Sequence, residues 1–240
     1  MVRNMRLSVK DVAKLLNVNE KTIYRWLKKG NLPAYRVGNH YRFNRAELLE
    51  WVTSNKINVS VNLFQEPDNG QVSTHSLLSA LTFGGIYYRT EGENKKSAIK
   101  SVVDLMKLPP EVDREFLFQV LLAREAMAST AIGDGIAIPH VRNPIVLHIT
   151  EPIVSLCFLE KPIDFNSLDG KPVNCLFTLI SPTVKTHLYL LSRLAYALRD
   201  NGFRNVVKKQ GSRDEIFSEI ARIESGLKQN HVPLETGGPS

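Results

Sequence analysis

The chain has 240 residues, with 31 Lys and Arg against 24 Asp and Glu, and a net charge of +7. Its length predicts two domains. No run approaches the roughly 20 apolar residues that span a bilayer, and no signal peptide is visible, so we expect a cytoplasmic protein without a membrane segment. Cys157 and Cys175 lie in apolar runs that predict reduced core residues. No metal-ligand spacing occurs, and we expect neither a metal nor a cofactor.

The positive charge is concentrated at the N-terminus. Residues 1–56 carry twelve Lys and Arg against four acids, a net charge of +8, whereas the rest of the chain carries 19 against 20, a net charge of −1. A basic first quarter on a nearly neutral body is typical of a protein that binds nucleic acid. Residues 1–56 are therefore predicted to be a DNA-binding domain.

The local pattern of this first domain predicts helix, turn, helix, hairpin, helix. Ser8 and Asp11 have the spacing of a capping box for a first helix, and Asn19 can cap a second helix over residues 20–28. A β-hairpin over residues 34–43 and a third helix over residues 45–54 follow. The core of this small domain is predicted to form around Trp26 and Trp51.

Residues 7–52 resemble the winged helix-turn-helix domain of the MerR and excisionase superfamily. The resemblance is carried by residues 8–13, 22–26, 30–34 and 36–38. It implies that the second helix reads the major groove and that the hairpin reaches the DNA backbone or minor groove. The candidate contacts are Lys21, Thr22, Tyr24 and Arg25 on the helix, and Arg36, Asn39, His40 and Arg42 on the wing. The alternative is that several of them are ordinary solvated side chains.

Residues 57–74 are polar and predict a linker, although apolar residues at 59, 61, 63 and 64 could pair as a strand. Residues 75–228 predict the second domain, and residues 229–240 a frayed tail. Helices are expected at 97–106, 110–124, 185–199, 203–209 and 214–224, and strands at 136–138, 152–159 and 173–180. This alternation predicts an α/β domain with a mixed sheet between helices.

The segment from Leu122 to His140 contains the densest set of chemical groups in the chain. It predicts the end of a helix, then a glycine-containing loop, then a short strand that places His140 at a surface. Gly133 and Gly135 permit the positive φ angles of such a loop. Pro139 removes a ladder donor and should end the strand directly before the histidine.

This segment resembles the active-site motif of the type-2 enzyme IIA domains of the bacterial phosphoenolpyruvate:sugar phosphotransferase system, which include fructose, mannitol and nitrogen-regulatory forms. Residues 161–165, 169–173 and 185–188 match further motifs of that family. The resemblance implies that His140 accepts a phosphoryl group from an HPr-type phosphocarrier protein, that His187 hydrogen-bonds the phosphate, and that Arg124 stabilises the phosphorylated state. Ser129 and Thr130 are implied to line the phosphate site.

The residue types agree with this chemistry by themselves. A neutral imidazole is a good nucleophile that can pass a group on, and a guanidinium matches phosphate oxygens. Arg124 could alternatively be a cation at a helix C-terminus, and both roles are compatible. His75 and His148 lack a supporting pattern and are expected to be structural or solvated. Two residues depart from the family pattern, Ala128 and Val141, where glycine or a small residue is usual.

The preferred hypothesis is a phosphorylation-responsive DNA-binding regulator. One alternative is a phosphocarrier that passes phosphate to a sugar-transport enzyme IIB, and another is a protein-docking module controlled by phosphorylation. The expected partners are DNA, the HPr-type carrier, and either enzyme IIB or regulatory protein targets. A homodimer is also expected, because this class of DNA reader usually binds paired half-sites.

Overall fold

A computed structural model describes residues 6–30, 32–37, 40–54, 75–141 and 149–229. The predicted linker 57–74, the tail from residue 230, the hairpin turn at 38–39, and Asn31 and His148 lie outside these residues. The N-terminal elements, in chain order, are β1 (Arg6–Leu7), α1 (Val9–Leu15), α2 (Glu20–Lys28), β2 (Tyr35–Val37), β3 (His40–Asn44) and α3 (Arg45–Ser54).

The N-terminal unit is a helix-turn-helix followed by the predicted hairpin. Strands β2 and β3 pair antiparallel, with Arg36 opposite Tyr41, and β1 pairs with the other edge of β3. The core is formed by fully buried side chains of α1, α2 and α3, among them Val12, Ile23 and Leu48. The rings of Trp26 and Trp51 pack with their centroids 5.4 Å apart, but both are half-buried at the border of this core and not at its centre, where the sequence placed them.

The first helix begins with the predicted capping box. The Ser8 side chain accepts the Asp11 N–H at 3.2 Å, and the Asp11 carboxylate accepts the Ser8 N–H at 2.8 Å. Hydrogen bonding from the Ser8 hydroxyl is the largest cause of a lowered Asp11 pKa. A lowered folded-state pKa stabilises the fold above the unfolded value near 3.8, and this contribution is lost as the pH falls through the folded pKa.

We expect Ser8→Ala to lower the free energy of unfolding of the N-terminal unit by about 1 kcal/mol, because α1 loses its N-cap. Thermal unfolding followed by tryptophan emission measures this, since both tryptophans, Trp26 and Trp51, lie in this unit. The matched control is Ser225→Ala, which removes an exposed hydroxyl inside a helix, where no cap is removed. Equal midpoints for the two variants would contradict the prediction.

The C-terminal unit contains the predicted mixed sheet. Its elements are α4 (Leu77–Gly84), β4 (Ile86–Thr90), α5 (Lys95–Leu105), α6 (Arg114–Met127), β5 (Ala131–Gly133), β6 (Ile136–Ala137), β7 (Ile153–Ile163), β8 (Val173–Ile180), α7 (Val184–Ala197), α8 (Asn201–Lys208) and α9 (Arg213–Gln229). The strand order is β4-β7-β8-β6-β5. The β4–β7 and β6–β8 pairs are parallel, and the other two are antiparallel.

Helices cover both faces of this sheet. Along β7, Leu156 and Phe158 enter a core shared with α4, α7, α8 and α9, whereas Ile153 and Cys157 enter a second core shared with α5 and α6. Successive side chains of a strand point to opposite faces, so a strand buried on both faces reads as a continuous apolar run. Among the described residues, no helix combines the length and apolar composition needed to cross a membrane.

The structure differs from the sequence prediction of this unit in the start of one helix and in three elements that were not predicted. Helix α6 begins at Arg114 rather than at Pro110, because the Asp113 carboxylate caps it by accepting the N–H groups of Glu115 and Phe116 at 2.9 and 3.0 Å. The elements α4, β4 and β5 were not predicted, and β5 lies where the sequence predicted a loop. The run from Leu77 to Tyr88 is almost continuously apolar, and periodicity cannot separate a buried helix from a buried strand in such a run.

Candidate functional site

His140 lies beside the central strand β8. It forms an isolated parallel bridge with Leu179, and the Leu179 N–H donates to the Pro139 carbonyl at 3.0 Å. The regular strand β6 ends earlier, at Ala137, but the chain continues along β8 through the proline. The strand thus ends before His140, as predicted, although the Pro139 carbonyl still accepts a hydrogen bond from β8 and His140 forms an isolated bridge. Only 2% of the His140 surface is exposed.

The backbone determines which nitrogen of His140 can react. The Nδ1 atom lies 2.7 Å from the carbonyl oxygen of Ile138. A carbonyl oxygen can only accept a hydrogen bond, so Nδ1 carries the proton in this arrangement. The lone pair of the neutral ring is then on Nε2, which is the nitrogen able to attack an electrophile.

His187 is the neighbour of His140 across the site. The two ring centroids are 5.2 Å apart with an interplanar angle of 36°, and His187 is also 2% exposed. His187 lies in the first turn of α7, whose N-cap Thr183 accepts the Thr186 N–H at 3.0 Å. The amide of Thr186 in the first turn is therefore already bound by this cap.

The loop before His140 has the predicted left-handed backbone. Gly133, Asp134 and Gly135 have φ angles of 86°, 54° and 79°. They form the tight connection between β5 and β6, and beyond it the Ile138 N–H donates to the Thr130 carbonyl at 3.0 Å. Ile138 thus connects the Ser-Thr pair to the His140 ring through its two backbone groups.

Arg124 lies at the C-terminal end of α6 and is 8% exposed. Its Nη1 donates to the carbonyl of Ala128 at 2.8 Å, which agrees with the predicted role of a cation at a helix C-terminus. This bond holds the start of the Ser-Thr segment against the helix. A role of Arg124 towards a bound phosphate stays a prediction.

Glu125 is a site residue to which sequence reasoning assigned no role. It is 5% exposed, and its Oε2 accepts both the N–H and the hydroxyl of Thr130, at 2.9 and 2.6 Å. Its Oε1 lies 3.6 Å from the Nζ of Lys95, the first residue of α5. The signal in the sequence was an acid between the arginine and the Ser-Thr pair, but only the fold supplies Lys95 from a distant helix.

The hydroxyls of the Ser-Thr pair both donate to protein acceptors. The Ser129 hydroxyl donates to the Phe165 carbonyl and also accepts the Ala131 N–H at 3.1 Å, whereas the Thr130 hydroxyl donates to Glu125. In this arrangement both residues position the loop. Their predicted role in lining a phosphate stays a prediction.

The two departures from the family pattern are accommodated by the backbone. Ala128 has φ −166° and ψ 142°, an extended conformation that any residue adopts, so glycine is not required there. Val141 is 1% exposed and packs in the core shared with α5 and α6. Its side chain fills the core instead of adding bulk to the surface near His140.

The candidate DNA contacts lie on α2 and on the hairpin. Lys21, Tyr24 and Arg25 are exposed on α2 and Thr22 is half-buried, and the Tyr24 ring packs edge-on against Tyr41 of the hairpin. On the hairpin, Arg36 and His40 are exposed, Arg42 is half-buried, and Asn39 lies outside the described residues.

Both cysteines are buried free thiols in the sheet, as predicted. Burial raises the pKa of Cys157 to about 12 and raises that of Cys175 further. A thiol that stays protonated near neutral pH is a poor nucleophile, so neither cysteine has a place in the site chemistry.

A buried histidine pair beside the central strand of a mixed sheet, in the same chain as a helix-turn-helix unit, defines a two-domain class of proteins. Residues 81–223 match the family described as "Phosphoenolpyruvate-dependent sugar phosphotransferase system, EIIA 2", and the chain belongs to this family. Residues 6–56 match the family described as "Helix-turn-helix domain".

Several nitrogen regulatory proteins are similar to the C-terminal unit. That of Pseudomonas aeruginosa is 33% identical over 149 residues, which cover 61% of this chain and 95% of that protein. That of Escherichia coli is 34% identical over 142 residues, covering 57% of this chain and 83% of that protein. The crystal structure of IIA-Ntr from Neisseria meningitidis superposes with a TM-score of 0.53 at 26% identity, covering 60% of this chain and 98% of that one. The C-terminal unit is thus an enzyme IIA domain that is similar to the nitrogen regulatory proteins.

Proposed function

We propose that this protein is a phosphorylation-responsive DNA-binding regulator in which residues 75–228 receive a phosphoryl group and residues 1–56 read DNA, joined by the linker 57–74. The observation that carries the proposal is the pairing of the His140 and His187 rings, with Nδ1 of His140 held by the Ile138 carbonyl. The donor is an HPr-type phosphocarrier. Since that carrier and the DNA share the cytoplasm, we place the protein there.

The transfer itself exchanges one N–P bond for another. The Nε2 lone pair of His140 forms a bond to phosphorus as the N–P bond of the carrier's phosphohistidine breaks, and the carrier leaves with a neutral imidazole. Such a transfer needs positioning and charge stabilisation more than other chemistry. His187 supplies a ring N–H to a phosphate oxygen, and Arg124 supplies positive charge at the adjoining helix end.

The experiment that tests this role is phosphorylation in a reconstituted system. Wild type and His140→Gln are incubated with phosphoenolpyruvate, enzyme I and an HPr-type carrier, and intact mass is taken under mildly basic conditions, where phosphohistidine survives. We expect one phosphate on wild type and none on His140→Gln. Wild type that gains no phosphate, or equal phosphate on both proteins, would refute the acceptor role.

The DNA-reading half of the proposal rests on the exposed cations of α2 and the hairpin. Exposed Lys and Arg bind phosphates and guanine edges, and the unit as a whole carries the excess positive charge of the chain. We further propose that the protein binds DNA as a homodimer, since readers of this class engage paired half-sites. Sedimentation of the protein with and without duplex DNA tests the stoichiometry.

We expect Arg25→Ala to weaken binding to a mixed-sequence DNA duplex, because each DNA phosphate that the protein no longer neutralises keeps its condensed counterion. Fluorescence anisotropy over a series of salt concentrations should show the slope of log K against log salt falling by about 1. The matched control is Lys208→Ala, which removes an exposed cation from α8 of the other unit. Identical slopes for Arg25→Ala and wild type would place Arg25 outside the DNA interface.

A further inference from the structure

Helix α7 is an element of the C-terminal unit that also packs against the core of the N-terminal unit. Its first turn presents His187 to the His140 ring, with centroids 5.2 Å apart. The next residue, Leu188, packs against the core of the helix-turn-helix unit, as does Tyr196, and Ala195 is a buried member of that core at 4% exposure. Positions separated by seven or eight residues share one face of a helix. One face of α7 therefore completes the core of the DNA-reading unit.

Helix α3 provides the other side of this contact. It packs against α7 and also against β5, which begins directly after Thr130. We call Leu188, Ala195 and Tyr196 of α7, together with β5 (Ala131–Gly133), the docking surface. Both of its parts adjoin the candidate phosphoryl site in sequence. In α7, Leu188 directly follows His187, and β5 begins at Ala131, directly after Thr130.

The phosphoryl site has little room for a new group. Both histidine side chains are 2% exposed, and His140 is held on one side by its pairing with Leu179 of β8. A phosphoryl group adds about two negative charges and three oxygen atoms. Since the sheet side is fixed by ladder hydrogen bonds, the displacement needed to admit the group falls on the first turn of α7 and on the Thr130 segment. Packed interfaces respond to such displacements by switching between arrangements.

We infer that the docking surface couples the two sites: the helix-turn-helix unit docks on α7 and β5 in the unphosphorylated protein, and phosphorylation of His140 weakens this docking. The inference rests on the proposed function, since it requires that His140 accept the phosphoryl group. Thermodynamic linkage makes the coupling reciprocal. If phosphate weakens docking, loss of docking must favour phosphate on His140 by the same factor.

The first measurement uses the wild-type chain alone. Amide hydrogen exchange of α3 (Arg45–Ser54) is compared before and after phosphorylation, with His140→Gln treated in parallel. We expect faster exchange in α3 and a changed emission of Trp51, which packs at this core, in the phosphorylated wild type only. Unchanged α3 exchange in protein whose mass proves phosphorylation would overturn the inference while leaving the acceptor role intact. A failure to take up phosphate would instead refute the proposed function.

The second measurement tests reciprocity. Ala195→Glu places a charge inside the docking surface, and its control Ala123→Glu places the same charge at an exposed position of α6 that belongs to no core. The equilibrium of phosphate between each protein and the HPr-type carrier is read by intact mass. We expect Ala195→Glu to shift this equilibrium towards the chain by between about 5- and 150-fold, the usual range of allosteric coupling, and the control not to shift it.

A folding defect in Ala195→Glu is separated from loss of docking by a milder variant. Tyr196→Ala trims a partly buried side chain of the same surface, and it should shift the equilibrium in the same direction by a smaller factor. Faster α3 exchange in either variant, without any shift of the phosphate equilibrium relative to Ala123→Glu, would show that docking and phosphorylation are independent.

Discussion

Glu125→Ala is expected to lower the free energy of unfolding of the C-terminal unit by about 3 kcal/mol and to abolish efficient phosphorylation of His140. The substitution leaves the buried N–H and hydroxyl of Thr130 without the carboxylate that accepts them at 2.9 and 2.6 Å. It also removes the carboxylate that lies 3.6 Å from the Lys95 ammonium, which in addition donates to Asn166 Oδ1 at 2.7 Å. Denaturant unfolding followed by circular dichroism measures the stability, and intact mass measures the phosphate.

Two further variants separate the hydrogen bonds of Glu125 from its charge. Glu125→Gln keeps an oxygen that can accept from Thr130 but loses the pairing with Lys95, so we expect a smaller loss of stability, about 1 kcal/mol. Lys95→Met removes the cation alone, and because Lys95 is partly exposed its effect should be smaller still. If Glu125→Ala proved as stable as wild type, the carboxylate could not be what holds the Thr130 segment.

His187→Ala is expected to slow phosphoryl transfer to His140 by ~100- to 1000-fold, because one preorganised hydrogen-bond donor to the developing charge is removed. A rapid-quench time course with a single turnover of phosphorylated carrier measures the rate directly. His187→Gln keeps an N–H donor at a similar reach and should recover part of the rate. These rates report the chemical step, whereas the equilibrium with the carrier reports the stability of the product.

The control for the loss of an imidazole is His75→Ala. His75 lies 3.2 Å from a carboxylate oxygen of Glu151, and its side chain is partly exposed. Its removal should leave the transfer rate unchanged. Equal rates for His187→Ala and wild type would mean that the ring beside His140 takes no part in transfer, and the site would then rely on Arg124 and backbone groups.

Much of the architecture follows from local patterns. The capping box at Ser8 and Asp11, the left-handed loop at Gly133 and Gly135, and the continuous apolar runs of β7 and β8 each depend on residues close in sequence. Turn residues, helix-capping residues and the periodicity of apolar residues are local properties, so they can be predicted before the fold is known. The start of α6 was predicted at Pro110, but the Asp113 side chain caps the helix, which therefore begins at Arg114.

Some residues of the candidate site can be predicted from local sequence patterns, whereas others are brought together only by packing between distant elements. The motif around His140 predicted a site made of this histidine, the arginine and the Ser-Thr pair, because all of them lie in one short contiguous segment. The hydrogen bonds from Thr130 to Glu125 span only five residues, but the cation beside Glu125 comes from Lys95 of α5, which no sequence period predicts. The Ser129 hydroxyl similarly binds a carbonyl 36 residues away in sequence.

The sequence by itself determined that this chain joins a basic helix-turn-helix unit to an enzyme IIA unit, since charge, capping residues and the motifs that resemble the two families are local properties of the chain. Only the tertiary structure decided how the two units meet. Leu188, Ala195 and Tyr196 read as ordinary core positions of an amphipathic helix, and which neighbour covers such a face depends on the packing of distant elements. The hydrophobic effect is non-directional, so the pattern of a helix specifies that a face is buried but not against what.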